Sequence, residues 1–446
     1  MTDTIAAIAT AQGPGGIGIV RVSGPGAIPI AQKLLRTKTP PDWEQLRGYN
    51  MLYGSLADID EAICLVFRSP RSYTGEDVVE FQCHGGLLVL RRALQAALDA
   101  GALPAGPGEF TCRAYLNGRM DLAKAEAVMQ LVTAQSGQAM RAAHAAMGGA
   151  LSNCIENTRN ALISLAAHLG AWLDYPEEDI VPLSGDEIQQ VLTRAAQSLQ
   201  SLLRRARSDQ AVIAGVPAAL LGRPNVGKSS LMNRLVGYSR SIVTDIPGTT
   251  RDTVSETVQL GNLTLRLTDT AGIRDAQSPI EQAGVDRAVE AMGQADLLLA
   301  VFDASQPLAP EDRALLGECD PARTLLIRNK IDLGIAWPTP PGYPCADVSA
   351  LTGQGLDALA PAIETLLGVS GFSPGEAILA NRRQSDCAAA ALAAIEEALA
   401  VLSQGFPLDA VAVCLEDAIQ ALFSLTGERA SDAVVDEVFA SFCVGK

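Results

Sequence analysis

Aromatic residues make up only 4% of this 446-residue chain, and there are three histidines. Its cysteines, nine in all, are scattered without a CxxC pair or a Cys/His cluster, which argues against a disulfide framework and against zinc. No basic start followed by an apolar run opens the sequence, and no stretch approaches the ~18 uninterrupted apolar residues of a membrane span. A reducing cytoplasm suits such a chain, with no membrane association. Positive charge is also scarce: 34 Lys and Arg face 50 Asp and Glu, a net charge of −16. Such a surface repels nucleic-acid phosphates at long range, so indiscriminate nucleic-acid binding is excluded. The acid is unevenly placed, being balanced over residues 1–119 and concentrated beyond 211.

What is present is apolar material, 48% of residues, enough for about three domains at ordinary domain size. Residues 1–118 alternate β-like runs at 4–10, 16–24, 61–67 and 77–83 with helical patterns at 27–35 and 84–101, predicting a compact α+β domain. Residues 119–210 turn Ala- and Leu-rich, with Leu162, Leu165, Ala166 and Leu169 on one face, and predict two long helices. The break at 175–187 ends in Ser184 followed by Glu187, a capping-box signature. Residues 211–370 alternate strands (211–222, 263–269, 295–304, 323–330) with helical stretches, predicting a parallel sheet covered by helices. Residues 371–446 are helical again, with Leu408, Val411, Leu415, Ala418, Ile419, Leu422 and Phe423 on one face. The two helical stretches either form one discontinuous domain around the α/β insert or stand as separate bundles.

The run GRPNVGKS (222–229) lies between a predicted strand and a predicted helix. This is the arrangement in which loop amides converge on phosphates, Lys228 reaches their oxygens and the Ser229 hydroxyl meets Mg²⁺. DTAG (269–272) follows at one strand end, placing Asp269 near the metal and the Gly272 amide near a γ-phosphate. NKID (329–332) follows at another, and Asp332 can accept from both the ring NH and the exocyclic amine of guanine, a donor pair adenine lacks. VSALTG (348–353) offers the Ala350 amide to the guanine carbonyl. After DTAG stands Ile273 rather than a water-orienting glutamine, so hydrolysis needs another arrangement. The loop 241–253 with Asn225 suits either a potassium ion that supplies positive charge or an ordinary switch loop carrying Thr250 to Mg²⁺.

With GRPNVGKSSL, VTDIPGTTRD, DTAGIR, GPGGIGIVRVSG (13–24), YTGEDVVEFQCHGG (73–86), PGEFTCRAYLNGRMDLAKAEA (107–127) and FCVGK (442–446), the sequence resembles the MnmE (TrmE) family of tRNA-modification GTPases along its whole length. The resemblance implies an N-terminal folate-binding and dimerisation domain, and a helical domain interrupted by a P-loop GTPase domain. It implies potassium-dependent GTP hydrolysis coupled to modification of the wobble uridine of certain tRNAs at C5. A carboxymethylaminomethyl or aminomethyl group is added there using a tetrahydrofolate one-carbon unit, the folate being bound in its 5,10-methylene or 5-formyl form. The partners implied are a second copy of the chain, an FAD-containing MnmG-like protein in a heterotetramer or larger complex, and tRNA.

Carried over residue by residue, the resemblance gives a GTP site of Asn225, Val226, Gly227, Lys228, Ser229 and Ser230, then Thr244, Asp245, Ile246, Pro247, Gly248, Thr249 and Thr250. Asp269, Thr270, Ala271, Gly272, Asn329, Lys330, Asp332, Ser349, Ala350 and Leu351 complete it. Potassium falls to Asn225, Thr244, Ile246 and Thr249, and magnesium to Ser229 and Thr250. Catalysis falls to Lys228, Thr250 and Glu281, the last as water organiser. Folate falls to Arg21, Glu80, Arg119, where the family usually carries lysine, and Lys446. Cys443 is either a reactive thiol or inert, and His84 either catalytic or a turn stabiliser. A switch GTPase of ribosome assembly or stress response would share the GTPase motifs but not the N-terminal and FCVGK signatures. A structural protein that merely retains nucleotide predicts negligible turnover.

Overall fold

The computed structural model describes residues 3–174, 181, 183–238, 255–261, 263–269, 292–293, 295–369, 373 and 375–446. The chain divides into two compact units, one of residues 1–129 with 416–446 and one of 130–415.

In the first unit, β1 (Ile5–Ile8), β2 (Gly15–Ser23), α1 (Ala27–Leu34), β3 (Leu35–Arg36), β4 (Tyr49–Leu56), β5 (Asp60–Phe67), β6 (Val78–Gly85), α2 (Leu87–Asp99), β7 (Leu103–Pro104) and α3 (Glu109–Leu116) follow one another. The strands form one sheet in the order β3-β4-β5-β6-β2-β1-β7. Period-two alternation places Val20, Val22, Val79 and Phe81 under α1 and α2, where Ile28, Ala31, Leu90, Ala93 and Ala97 close the core. The opposite face carries Ile17, Tyr49, Met51 and Tyr53, each more than half exposed. The helix expected over 84–101 begins only at Leu87, because His84 and Gly85 still pair with β2. Strand β4 has no counterpart among the sequence expectations. Its tyrosines and methionine point to the open face, so no apolar-in, polar-out pattern marks it.

The next helix, α4 (Leu122–Thr133), runs across the boundary between the units. In the second unit come α5 (Gly137–Met147), α6 (Ala150–Asp174) and α7 (Gly185–Ala214). The stretch expected as two long helices is thus four. Ser136 caps α5 by accepting from the Ala139 amide, and Gly148 and Gly149 separate α5 from α6. The capping box of α7 is formed, with Ser184 Oγ accepting from the Glu187 amide and the Glu187 carboxylate accepting from the Ser184 amide.

The α/β part follows as β8 (Val216–Leu221), α8 (Lys228–Tyr238), β9 (Ser255–Leu260), β10 (Leu263–Asp269), β11 (Leu297–Asp303), α9 (Pro310–Glu318), β12 (Thr324–Asn329), β13 (Cys345–Asp347) and α10 (Leu359–Leu367). Sheet order is β13-β12-β11-β8-β10-β9. All neighbours are parallel except β9, an antiparallel edge strand against β10. The strand expected over 211–222 starts at Val216, since α7 continues through Ala214 and buries Val212 in the sheet core. Strand order reverses at β8, which pairs with β10 on one side and β11 on the other, and ligands of open α/β sheets bind outside the strand ends at such a point.

The remaining helices are α11 (Arg382–Ser403), α12 (Leu408–Thr426) and α13 (Asp432–Ala440). Helix α11 lies along α7, where Gln210 Nε2 donates to Ser385 Oγ at 2.8 Å and Gln200 Nε2 to Glu396 at 3.0 Å, and Arg205 pairs with Glu376. Helix α12 crosses the boundary between the units, and α13 packs in the first, where Phe439 and Phe442 join Leu122 and Ala125. No helix among the described residues is long and apolar enough to cross a membrane.

Candidate functional site

The loop between β8 and α8 has the shape its glycines require. Gly222 and Gly227 have φ of +138° and +98°, and a Cβ on Gly227 would lie 2.2 Å from Asn329 Nδ2. Asn225 takes φ of +64° and is exposed. Helix α8 begins at Lys228, so the amides of its first turn and the positive end of its dipole face the loop, with Ser229 and Ser230 exposed there. Lys228 is nearly buried, and its ammonium donates to the carbonyls of Gly222 at 2.6 Å and Arg223 at 2.8 Å. The lysine is thereby already turned into the loop where an anion would sit.

Asn329, 1% exposed, ties this loop to a second one. Its Nδ2 donates to the Val226 carbonyl and its Oδ1 accepts from the Ala350 amide, both at 2.9 Å. The Ala350 amide, expected to meet a guanine carbonyl, is here occupied by that side chain. Asp332 Oδ1 accepts from Ser349 Oγ at 2.5 Å, and Ser349 Oγ in turn accepts from the Thr352 amide. Lys330, at φ of +66°, donates to Asp303 Oδ2 at 2.7 Å. Burial pushes the Asp303 carboxyl up, but hydrogen bonds from Lys330 and Ser305 outweigh it and hold the group below its usual range. Leu351 is 79% exposed beside these groups, an apolar surface on which a flat base can lie. Residues 329–332, 349–351 and the phosphate loop thus converge on one end of the parallel sheet.

Thr244, Asp245, Ile246, Pro247, Gly248, Thr249, Thr250, Thr270, Ala271, Gly272, Ile273 and Glu281 lie outside the described residues. Asp269 closes β10 with its backbone opposite Leu220.

A second cluster lies on the open sheet face of the first unit. Arg21 on β2 stands opposite Glu80 on β6, and Nε donates to Oε1 at 2.8 Å in a pair 19% and 14% exposed. The guanidinium lies 5.5 Å from the ring centres of both Tyr73 and Phe110. The Phe110 amide donates to the main-chain oxygen of Lys446 at 3.1 Å, and Val444 bridges Pro107. Phe110 thus meets Arg21 at its ring and the main chain of Lys446 at its amide. Arg119 is exposed, and its backbone and stem lie by the segment holding Tyr73, close to Gly75. Burial raises the Tyr73 hydroxyl's pKa against the opposing effects of Thr111 and Arg21. Cys443 is an exposed free thiol. His84 is exposed, and its Nδ1 lies 2.9 Å from Asp60.

Two family models match. One, the MnmE helical domain, covers residues 122–443, and the other, GTP-binding protein TrmE N-terminus, covers residues 4–119. A tRNA modification GTPase MnmE of Thermus thermophilus is 46% identical over 100% of this chain and 100% of its own length. Those of Symbiobacterium thermophilum and Geobacter sulfurreducens are 44% and 42% identical, each over 100% of this chain and 99% of their own. The chain belongs to the MnmE family. Among solved structures, the G domain of FeoB from T. maritima is 28% identical over 33% of this chain and 96% of its own, with a TM-score of 0.25. Era from Aquifex aeolicus is 26% identical over 40% of this chain and 65% of its own, with a TM-score of 0.26.

Tyr73, Phe110, Glu76 and Arg113 were not singled out in the sequence. Arg113 is buried and donates to Glu76, Glu109 and the Asp3 carbonyl, and Ser23 Oγ donates to Glu76. That network braces the segment carrying Tyr73 beneath Arg21. Its only signal in this MnmE-family sequence is that Tyr73 and Glu76 fall within YTGEDVVEFQCHGG and Phe110 and Arg113 within PGEFTCRAYLNG. Nothing local says that the two runs meet.

Proposed function

We propose that this chain, a GTP hydrolase of tRNA modification by family, hydrolyses GTP in a potassium-dependent way and, with an FAD-containing MnmG-like partner, modifies the wobble uridine of certain tRNAs at C5. The observation that carries the nucleotide half is the double bridge of Asn329, which fixes the phosphate loop and the Ser349–Leu351 turn at one spacing beside Asp332. Asp332 reads guanine through two donors, Lys228 holds phosphate oxygens, and loop amides at the start of α8 neutralise their charge.

The donor set at the start of α8 fits magnesium, since Ser229 presents its hydroxyl in the first exposed turn, and Thr250 would supply the second protein oxygen. Asn225, Thr244, Ile246 and Thr249 would hold potassium, which supplies fixed positive charge beside the phosphates. Glu281 would orient water.

For folate, the donor set of the first unit also fits. Arg21 and Glu80 present opposite charges within hydrogen-bonding distance, Phe110 backs the Arg21 guanidinium from the core, and the partly exposed Tyr73 would offer an aromatic face to a flat ring. Arg119 and Lys446 are the remaining cations assigned to it, the former with a guanidinium fork in place of a lysine point charge. The exposed face of Ile17, Tyr49, Met51 and Tyr53 suits the second copy in a cytoplasmic homodimer.

Turnover of GTP in KCl against NaCl at equal ionic strength tests the potassium dependence, with at least about tenfold faster hydrolysis in KCl expected; equal rates sink it. Arg21→Ala is expected to abolish binding of 5-formyltetrahydrofolate in calorimetry while leaving GTP turnover intact. Mass spectrometry of wobble uridines from cells lacking the protein tests the tRNA step.

A further inference from the structure

The phosphate loop is held from two sides, and only one of them belongs to a recognised motif. On the motif side Asn329 grips Val226. On the other, Arg223 Nε donates at 2.7 Å to Oδ1 of Asp312, which lies 89 residues further on, at the third position of α9. Asp312 is 3% exposed at its side chain, and its other oxygen accepts from the Ala309 amide at 3.0 Å. A buried carboxylate bound by a guanidinium on one oxygen and a backbone amide on the other is fixed in direction. The carbonyls of Gly222 and Arg223 both accept from Lys228. Gly222 lies hard against β11, since a Cβ there would fall 2.3 Å from the Val301 carbonyl oxygen. The backbone that receives the Lys228 ammonium therefore stands between β11 and the Asp312 strut.

We propose that Arg223 and Asp312 are positioning residues of the guanine nucleotide site: their ion pair sets the first half of the phosphate loop and so pre-organises Lys228 and the loop amides for the phosphates. The inference rests on the GTP hydrolase reading and adds a device to it. Because the pair acts through the loop, it supports ground state and transition state alike. Its loss raises KM and the dissociation constant with little effect on kcat.

Asp312→Asn separates the pair from the helix cap. The asparagine oxygen still accepts from the Ala309 amide, while its NH₂ turns a donor toward a guanidinium that only donates. In the full chain, titration with a fluorescent GDP analogue is expected to show an approximately tenfold weaker Kd, with a similar rise in KM for GTP and kcat within about twofold. Arg223→Gln, at a partly exposed position, is expected to give the same shift, and the double variant no more than either single one. Arg223→Lys is expected to recover part of the affinity, since an ammonium reaches the carboxylate without the fork. If Asp312→Asn folds poorly, Arg223→Gln decides alone. Unchanged Kd and KM in Arg223→Gln, additive effects in the double variant, or a fall in kcat at fixed KM would overturn the proposal. Failure of the unaltered chain to bind the GDP analogue would instead overturn the GTP hydrolase reading.

Discussion

Asp332 illustrates how much one side chain's chemistry decides. A carboxylate whose Oδ1 accepts from Ser349 still has lone pairs on both oxygens, which the proposed reading gives to the two adjacent donors of guanine. Asp332→Asn replaces one acceptor by a donor, and xanthine presents a carbonyl where guanine presents an amine. GTP affinity is expected to fall by about 100-fold while xanthosine triphosphate binding improves. Competition titrations with the two nucleotides check this, and a variant that still prefers GTP contradicts the assignment. At this scale the sequence is eloquent for residues whose role is local: Lys228, Ser229 and Asp332 stand within contiguous motifs. It is silent on Asp312 and on the second bond of Asn329, whose partners lie 89 and 21 residues away along the chain. Those bonds exist only once the sheet has assembled.

Among the elements, α7 carries an unusual group near its C-terminal end. Asp209 is nearly buried, and desolvation raises its carboxyl from an ordinary 3.8 to about 6, with Arg205 pulling down and Glu376 pushing up. A carboxyl whose folded pKa exceeds its unfolded value favours folding while protonated. Its contribution is full below pH 3.8 and is lost as pH rises through about 6. Asp209→Asn is expected to raise stability at pH 7.5 by up to about 3 kcal/mol and by only about a third of that at pH 4.5. Thermal melts of both proteins at the two pH values check the sign, and an equal difference at both would refute it.

Element boundaries were legible where a local signal stood alone, as at the Ser184 capping box. The breaks before α5 and α6 carry local signals, Ser136 and the Gly148–Gly149 pair, that the Ala- and Leu-rich periodicity outweighed in the sequence reading. Strand β9 pairs with β10 locally, Leu260 standing opposite Leu263, and was passed over in the sequence reading in favour of the longer apolar runs. Arg21 and Glu80 meet because the facing strands β2 and β6 pair the two segments that contain them.

For the molecule as a whole, charge and the open sheet face set the expectations. With a net charge of −16, the chain alone is expected to bind tRNA weakly, and under the proposed function to bind it more tightly with an FAD-containing MnmG-like protein. Filter binding at two salt concentrations checks this, and tight binding by the chain alone would contradict it. Met51, 69% exposed on β4, lies on the face assigned to the second copy. Met51→Glu is expected to shift light-scattering mass from dimer to monomer, whereas an unchanged dimer would place the contact elsewhere.

Helix α7 runs for 30 residues and is followed, after Gly215 alone, by the central strand β8. At about 1.5 Å per residue it is a rod about 45 Å long. Leverage follows from that ratio: a turn of about 5° at the Gly215 joint sweeps the far end of the rod through about 4 Å. An adjustment at the sheet no larger than a side-chain contact is thereby magnified, by geometry alone, to the width of a strand spacing.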